Sequence, residues 1–106
     1  MAPPDRPLRL PPLNALRVFQ VVVRHRSFRA AAEELLVTPQ AVSQQIKLLE
    51  DTLGQELFVR KGRAVEPNEQ AILLAHFVQA GFDEMAEGVR RVTKTGQRAR
   101  INVNAS

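Results

Sequence analysis

The sequence contains no cysteine, tryptophan or tyrosine, and only five phenylalanines among its 106 residues. The absence of cysteine excludes disulfides, thiol catalysis and cysteine-ligated metal, and it suits a reducing compartment. The scarcity of aromatic side chains argues against a surface on which nucleic-acid bases stack, as in many single-strand binders. No apolar run approaches the roughly 18 residues needed to cross a bilayer, so no membrane partner is expected.

The first twelve residues are not expected to be a secretory signal. Residues 1–12 are rich in proline and contain no apolar segment, so they are interpreted as a flexible leader. The remaining length allows one domain with an extended arm, and a dimer interface is one way of adding buried surface to so small a core. Lysine and arginine total 15 against 11 acidic residues, a formal charge of +4 that favours a polyanionic partner.

Two short helices are predicted first. Apolar periodicity indicates one from Leu13 to about Arg24, and Ser27 is the predicted N-cap of a second from Phe28 to about Leu36. Small alanines in the apolar stripe of the second helix allow another helix to approach closely. The residues expected on the inner faces are Leu13, Leu16, Phe19 and Val23 in the first helix, and Phe28, Ala31, Ala32 and Leu35 in the second.

A third helix is predicted over residues 39–53, with Thr38 as N-cap, Pro39 at the first helical position and Gly54 just past the end. At about 100° per residue, two stripes run along it. The core stripe contains Val42, Ile46, Leu49 and Leu53, and the outer polar stripe contains Gln40, Ser43, Gln44 and Lys47.

The second and third predicted helices are joined by a tight turn, and the third carries the polar outer stripe. This arrangement predicts a helix-turn-helix. Donors and acceptors of moderate length suit the edges of base pairs in a DNA major groove, which is about wide enough for one α-helix. The alternative is an ordinary amphipathic helix whose outer face is merely solvated. The segment that follows favours the DNA-binding interpretation.

That segment is a small basic hairpin, or wing. Residues 56–60 and 64–67 predict two strands joined by a turn at 61–63. The sequence thus predicts a mainly α fold, a winged helix-turn-helix over residues 13–67. Leu57, Phe58 and Val65 are expected to pack beneath the wing, with Arg60, Lys61 and Arg63 near its tip.

Asn68 is the predicted cap of a long fourth helix, from about Glu69 to Thr93, which forms a linker region over residues 68–94. Gly81 and Gly88 weaken its interior. Its apolar surface is too large for a small core, so a second copy of the chain is expected to cover it. The residues assigned to this dimer interface are Ile72, Leu73, Phe77, Ala80, Met85, Val89 and Val92.

Residues 95–106 are interpreted as a hinge followed by the start of a further domain. Arg100–Val103 alternate like an opening strand, which predicts that the sequence is part of a longer protein. The alternative is a disordered polar tail.

The order and spacing of these residues resemble the LysR-type transcriptional regulators over about residues 11–93. The resemblance rests on residues 13–19, 27–35, 37–50 and 53–60, and the opening at 10–17 is most similar to the subgroup of the glycine cleavage activator and the β-lactamase regulator. It implies a homodimer, or a tetramer in the full-length protein, that binds an interrupted inverted repeat in double-stranded DNA of the bacterial cytoplasm. It also implies no cofactor here, and an effector-binding domain for a small molecule beyond residue 95.

The resemblance also assigns roles to individual side chains. Arg63 matches an arginine that enters the minor groove, and Arg60 one at the base of the wing. Many family members have Gln-Pro where Pro39-Gln40 stand, and many have Arg or His at Gln44, which predicts an altered sequence preference rather than lost binding. The predicted base contacts are Pro39, Gln40, Ser43, Gln44 and Arg63, and the predicted backbone contacts are Ser27, Arg29, Thr38, Lys47, Arg60 and Lys61.

Two other functions remain open from the residues alone. A non-specific architectural DNA binder would show the same salt response but little difference between sequences, and the uncharged Gln-Ser-Gln stripe argues against it. A helical protein-interaction module without a DNA role is disfavoured by the basic wing. An enzyme is not expected, since Ser43 lacks a triad pattern and His25 and His76 have no partner carboxylate or second histidine at ligand spacing.

Overall fold

The computed structural model describes residues 10–105, and the side chains of residues 10–95. The predicted fold, a mainly helical winged helix-turn-helix, is confirmed. The elements in chain order are α1 (Leu13–His25), α2 (Phe28–Leu35), α3 (Pro39–Leu53), β1 (Phe58–Lys61), β2 (Ala64–Pro67) and α4 (Glu69–Ala105).

Side-chain caps begin three of the four helices, as predicted. A capping oxygen satisfies one of the N–H groups that the first turn of a helix leaves without a backbone partner. Pro39 occupies the first turn of α3, where its missing N–H leaves no hydrogen bond unmade. In each cap the side-chain oxygen accepts from the N–H three residues on: Ser27 from Ala30 at 3.1 Å, Thr38 from Ala41 at 3.1 Å and Asn68 from Ala71 at 2.9 Å.

The turn between α2 and α3 is made by Leu36, one residue after the end of α2. Its φ of 59° is in the left-handed region, and its N–H bonds to the carbonyls of Ala32 and Glu33. Val37 donates to the Ala32 carbonyl at 3.0 Å, which closes the end of the helix. A side chain with a Cβ is unfavourable in this conformation. Burial of the Leu36 side chain offsets little of this cost, because the side chain is 90% exposed.

The core of residues 10–75 lies where α1, α2 and α3 pack on one another and on the underside of the wing. Leu57, Phe58 and Val65 are buried, as predicted, and the Phe58 ring meets Phe19 edge-on with 5.8 Å between centroids. The prediction for Leu13 is wrong, because it is 58% exposed. The buried face of α1 is rotated away from it, and consists of Ala15, Val18, Phe19, Val21 and Val22.

A charged cluster joins the end of α1 to α2. The two terminal guanidinium nitrogens of Arg24, Nη1 and Nη2, donate to the two oxygens of the Glu34 carboxylate, at 2.8 and 2.9 Å. His25 Nε2 lies 2.7 Å from the same carboxylate. The expectation that His25 has no carboxylate partner is therefore wrong, because the α1–α2 turn folds α2 back beside it. Within the described residues, no group of three His, Cys, Asp or Glu could hold a metal ion.

The wing is a two-stranded antiparallel hairpin in which Lys61 lies opposite Ala64. The two-residue loop begins at Gly62, whose φ of 60° is a conformation that glycine adopts without a steric penalty. Val65 donates from its backbone N–H to the carbonyl of Arg26 at 3.1 Å, which ties the wing to the α1–α2 turn. β1 begins at Phe58, two residues later than predicted, because the backbone of residues 56 and 57 bonds to other elements.

The first part of α4 belongs to the core unit, which ends at Ala75. Ala71 is buried, and Leu74 and Ala75 pack on the core. The helix then continues as a separate unit to Ala105, so its predicted end near Thr93 and the predicted strand at Arg100–Val103 are wrong. A lone strand leaves its backbone groups unpaired, whereas a helix satisfies them within the segment.

Ion pairs support the exposed middle of α4 next to Gly88. The Glu87 carboxylate accepts from Arg90 at 2.7 Å and from Arg91 at 2.8 Å, three and four residues on. These hydrogen bonds lower the pKa of Glu87 below its ordinary value, and the one from Arg90 has the larger effect. The stabilisation of α4 by these two ion pairs is therefore fully present when the pH is above the ordinary pKa of glutamate. It is lost as the pH falls through the lowered pKa of Glu87.

Replacing Leu36 by glycine is expected to stabilise the fold by roughly 0.5–1 kcal/mol, because glycine adopts positive φ without the Cβ penalty that leucine meets. Urea denaturation of the two proteins measures the difference. Leu36→Ala is the control, since it removes the same exposed side chain but keeps Cβ. An equal gain from alanine and glycine would contradict backbone strain as the cause.

Candidate nucleic-acid interface

The outer stripe of α3 faces solvent. Gln40, Gln44 and Lys47 are exposed and Ser43 is half-buried, while the opposite stripe of Val42, Ile46 and Leu49 is buried. Because the helix has 3.6 residues per turn, the two sets of residues lie on opposite sides of it. Packing of the apolar side against the core therefore directs the polar side chains to solvent. The predicted division of α3 into a core stripe and an exposed polar stripe is confirmed, and Pro39 is exposed at its beginning.

The wing is fastened to α3 through the backbone of Leu57. The N–H of Leu57 donates to Glu50 Oε2 at 2.8 Å, and its carbonyl accepts from the Asn68 N–H at 2.9 Å. The Asn68 side chain also donates to the carbonyl of Glu56 at 2.7 Å. Residues of α3 and of the α4 N-cap thus hold the two residues that lead into β1. Because Leu57 is 1% exposed, water cannot replace these bonds.

Alternation along β1 separates the basic residues of the wing. Arg60 is opposite Val65 and shares the core-facing side of the hairpin with Phe58, whereas Lys61 lies on the other side. Lys61 Nζ is 3.2 Å from the Glu66 carboxylate, diagonally across the two strands, so this charge is partly compensated. Arg63 is exposed in the hairpin loop.

Arg60 reaches from the wing to the beginning of α2. Its guanidinium carbon is 5.0 Å from the centroid of the Phe28 ring. Both residues line a cleft of about 190 Å³ together with Ser43, Lys47 and Glu50 of α3. The structure therefore brings Ser43, Lys47 and Arg60 around one cleft.

The other predicted contacts lie at helix beginnings. The hydroxyl oxygens of Ser27 and Thr38 accept hydrogen bonds as N-caps, which leaves each hydroxyl proton able to donate to a phosphate. Arg29 is exposed in the first turn of α2. These three residues, like Arg63 and Pro39, do not line the cleft.

Two residues of this region had no predicted role at the site. Glu50 positions the wing, and Phe28, expected only in the core, also carries Arg60 on its ring. No local pattern points to either contact, since each joins elements that come together only on folding. No helix in the described part of the chain is long and apolar enough to span a membrane.

Residues 13–72 match the family of bacterial regulatory helix-turn-helix proteins known as the lysR family. The chain belongs to the LysR family. Among its relatives, the glycine cleavage system transcriptional activator of Escherichia coli strain K12 is 44% identical over 96 residues, which are 91% of this chain and 32% of that protein. The HTH-type transcriptional activator AmpR of Rhodobacter capsulatus is 47% identical over 76% of this chain and 28% of its own length.

Solved structures of other LysR-type proteins share the fold. DarR of Vibrio fischeri in complex with DNA is 29% identical with a TM-score of 0.74, over 84% of this chain and 30% of that one. The BenM_DBD/catB site 1 DNA complex gives 29% identity and a TM-score of 0.67, over 77% of this chain and 94% of that one. The named relatives are transcriptional activators rather than enzymes, and this LysR-family chain spans about a third of their length or less.

Glu50→Ala is expected to lower the free energy of unfolding by about 1–3 kcal/mol, because the buried Leu57 N–H loses its acceptor. Glu50→Gln, which keeps an acceptor oxygen, should lose less. Urea denaturation measures both effects. The neighbouring Asp51 is exposed, and Asp51→Ala should stay within about 0.5 kcal/mol of the parent. A loss at Asp51 as large as that at Glu50 would show that the hydrogen bond is not the cause.

Proposed function

We propose that this LysR-family chain binds double-stranded DNA in a sequence-specific manner, as a homodimer on an interrupted inverted repeat, and so regulates transcription. α3 enters the major groove and the wing approaches the minor groove. The observation that carries the proposal is the exposed polar stripe of α3, which lies opposite a fully buried stripe and beside the basic wing. The DNA complexes of the related BenM and DarR proteins support it.

Base reading is assigned to the exposed side chains at the beginning of α3. Gln40 and Gln44 each offer an amide that pairs with adenine through two hydrogen bonds, and the Ser43 hydroxyl serves as donor or acceptor. Pro39 contributes apolar contact at the first helical position. Arg63, exposed in the hairpin loop, is assigned to the minor groove, whose negative potential favours arginine where the groove is narrow.

Backbone contacts are assigned to the residues around this face. Phosphate contacts fix the register of a protein on the duplex without reading its sequence. Lys47 and Arg60 line the same cleft, and Lys61 contributes less because Glu66 partly compensates its charge. The remaining three donors are at the beginnings of helices, where the N-terminal dipole also favours a phosphate: Ser27, Arg29 and Thr38.

Dimerisation is assigned to the apolar surface of α4. Large apolar side chains exposed in an isolated chain indicate a surface that another molecule covers. Phe77 is 65% and Val89 64% exposed, and a second copy of the chain would bury both. The two recognition helices of such a dimer would enter successive major grooves. The other residues of this surface are Ile72, Leu73, Ala80, Met85 and Val92.

Selection of bound duplexes from random DNA at near-physiological salt tests the proposal. Enrichment of an interrupted inverted repeat supports a dimeric, sequence-reading regulator. Binding that weakens steeply with salt but enriches no sequence would favour an architectural DNA binder instead. Absence of DNA binding would favour a protein-interaction module.

Gln44→Ala is expected to relax selection at one base position in each half-site, with a loss of about 1–3 kcal/mol in discrimination, because the paired hydrogen bonds to that base are removed. Competition between duplexes that differ at single positions measures the effect. Gln70→Ala is the control, since it removes an exposed glutamine of α4 outside the proposed interface. An unchanged base preference in Gln44→Ala would overturn its assignment as a base reader.

Phe77→Glu and Val89→Glu are each expected to weaken the dimer at least about tenfold, because a carboxylate would be buried without a partner. Sedimentation equilibrium measures the dissociation constant. Ala86→Glu introduces the same charge at an exposed position of α4 outside the assigned surface, and should leave the dimer intact. Equal weakening by all three variants would contradict the assignment of this surface.

A further inference from the structure

We propose that Phe28 is a positioning residue for DNA binding: its ring holds the Arg60 guanidinium at the cleft beside α3, where Arg60 meets a phosphate of the DNA backbone. The inference rests on the proposed function and deepens it. Phe28 itself touches no DNA in this arrangement. It acts through Arg60, whose guanidinium carbon lies 5.0 Å from the ring centroid.

The register of the wing brings the two side chains together. Arg60 and the buried Phe58 are two residues apart on β1 and therefore extend to the same side of the hairpin. Phe28 is the first residue of α2 and is half-buried, so part of its ring remains available to the arginine. Lys61, on the opposite side of β1, has no such support and pairs with Glu66.

The charge of Arg60 remains available for a phosphate. Among the described residues Arg60 forms no ion pair, and its guanidinium lies over the Phe28 ring. Glu50 lines the same cleft, but one of its oxygens accepts from the Leu57 N–H. Lys47 adds a second cation to the cleft. With Arg60, Lys47 and Glu50 the cleft keeps a net positive charge, opposite in sign to a phosphate group.

The contact with the ring leaves the hydrogen-bond donors of Arg60 available. Arginine carries five N–H donors, and its contact with the Phe28 ring occupies no oxygen acceptor, so donors remain able to bind phosphate oxygens. An arginine already held in place loses less side-chain freedom when DNA binds. The ring therefore raises affinity without adding a charge.

A double-mutant cycle tests this inference. Phe28→Leu should weaken binding to the selected duplex about two- to fivefold, the range expected from an exposed cation–π contact. The slope of log affinity against log salt concentration should stay unchanged, because Arg60 still reaches the phosphate. Arg60→Met, which removes the charge, should reduce the magnitude of that slope by about 0.9. In the Arg60→Met background, Phe28→Leu should have no further effect on binding.

Two comparisons separate positioning from a purely structural role. Phe28→Leu is expected to lower the stability of the fold in both backgrounds, so binding is measured where urea denaturation shows each variant to be folded. Phe28→Tyr, which keeps the aromatic face, should bind the duplex with the affinity of the parent chain. An equal loss of affinity with or without the Arg60 charge would overturn the role of Phe28 while leaving the proposed function intact. Failure of the parent chain to bind DNA would instead overturn the proposed function.

Discussion

The backbone of Leu57 is hydrogen-bonded on both sides, and the arrangement of the proposed DNA-binding surface depends on these two bonds. Its N–H reaches the Glu50 carboxylate of α3, and its carbonyl reaches the N-cap of α4 at Asn68. The residue is buried, so neither group has water as an alternative partner. The need of both backbone groups of one buried residue for a hydrogen-bond partner therefore fixes where the wing leaves the core relative to α3.

Successive side chains of a strand lie on opposite sides, so β1 places Arg60 and Lys61 on opposite sides of the wing. Arg60 faces the core side and lies over Phe28, whereas Lys61 faces away and pairs with Glu66. The net charge of the chain gives no indication of this difference. Cations of equal formal charge thus differ in their availability to DNA, since one is held by an uncharged ring and the other by a carboxylate.

The environment of the long helix α4 changes along its length. In its first turns, one apolar face of α4 packs on the small core through Ala71, Leu74 and Ala75. Beyond His76, the large apolar side chains of Phe77, Met85, Val89 and Val92 remain exposed in the single chain. A domain of this size buries only a modest fraction of its surface, so the burial of this helix in a dimer would stabilise the protein as well as pair its recognition helices.

The sequence by itself determined the features that depend on neighbours three or four residues apart. The caps at Ser27, Thr38 and Asn68 and the two stripes of α3 belong to this class, because each is fixed by helical geometry and a short-range hydrogen bond or period. Only the tertiary structure decided the contacts of Glu50 with Leu57, Phe28 with Arg60 and His25 with Glu34. Those pairs lie on different elements, and their distances follow from how the helices and the wing dock, which no local period in the sequence encodes.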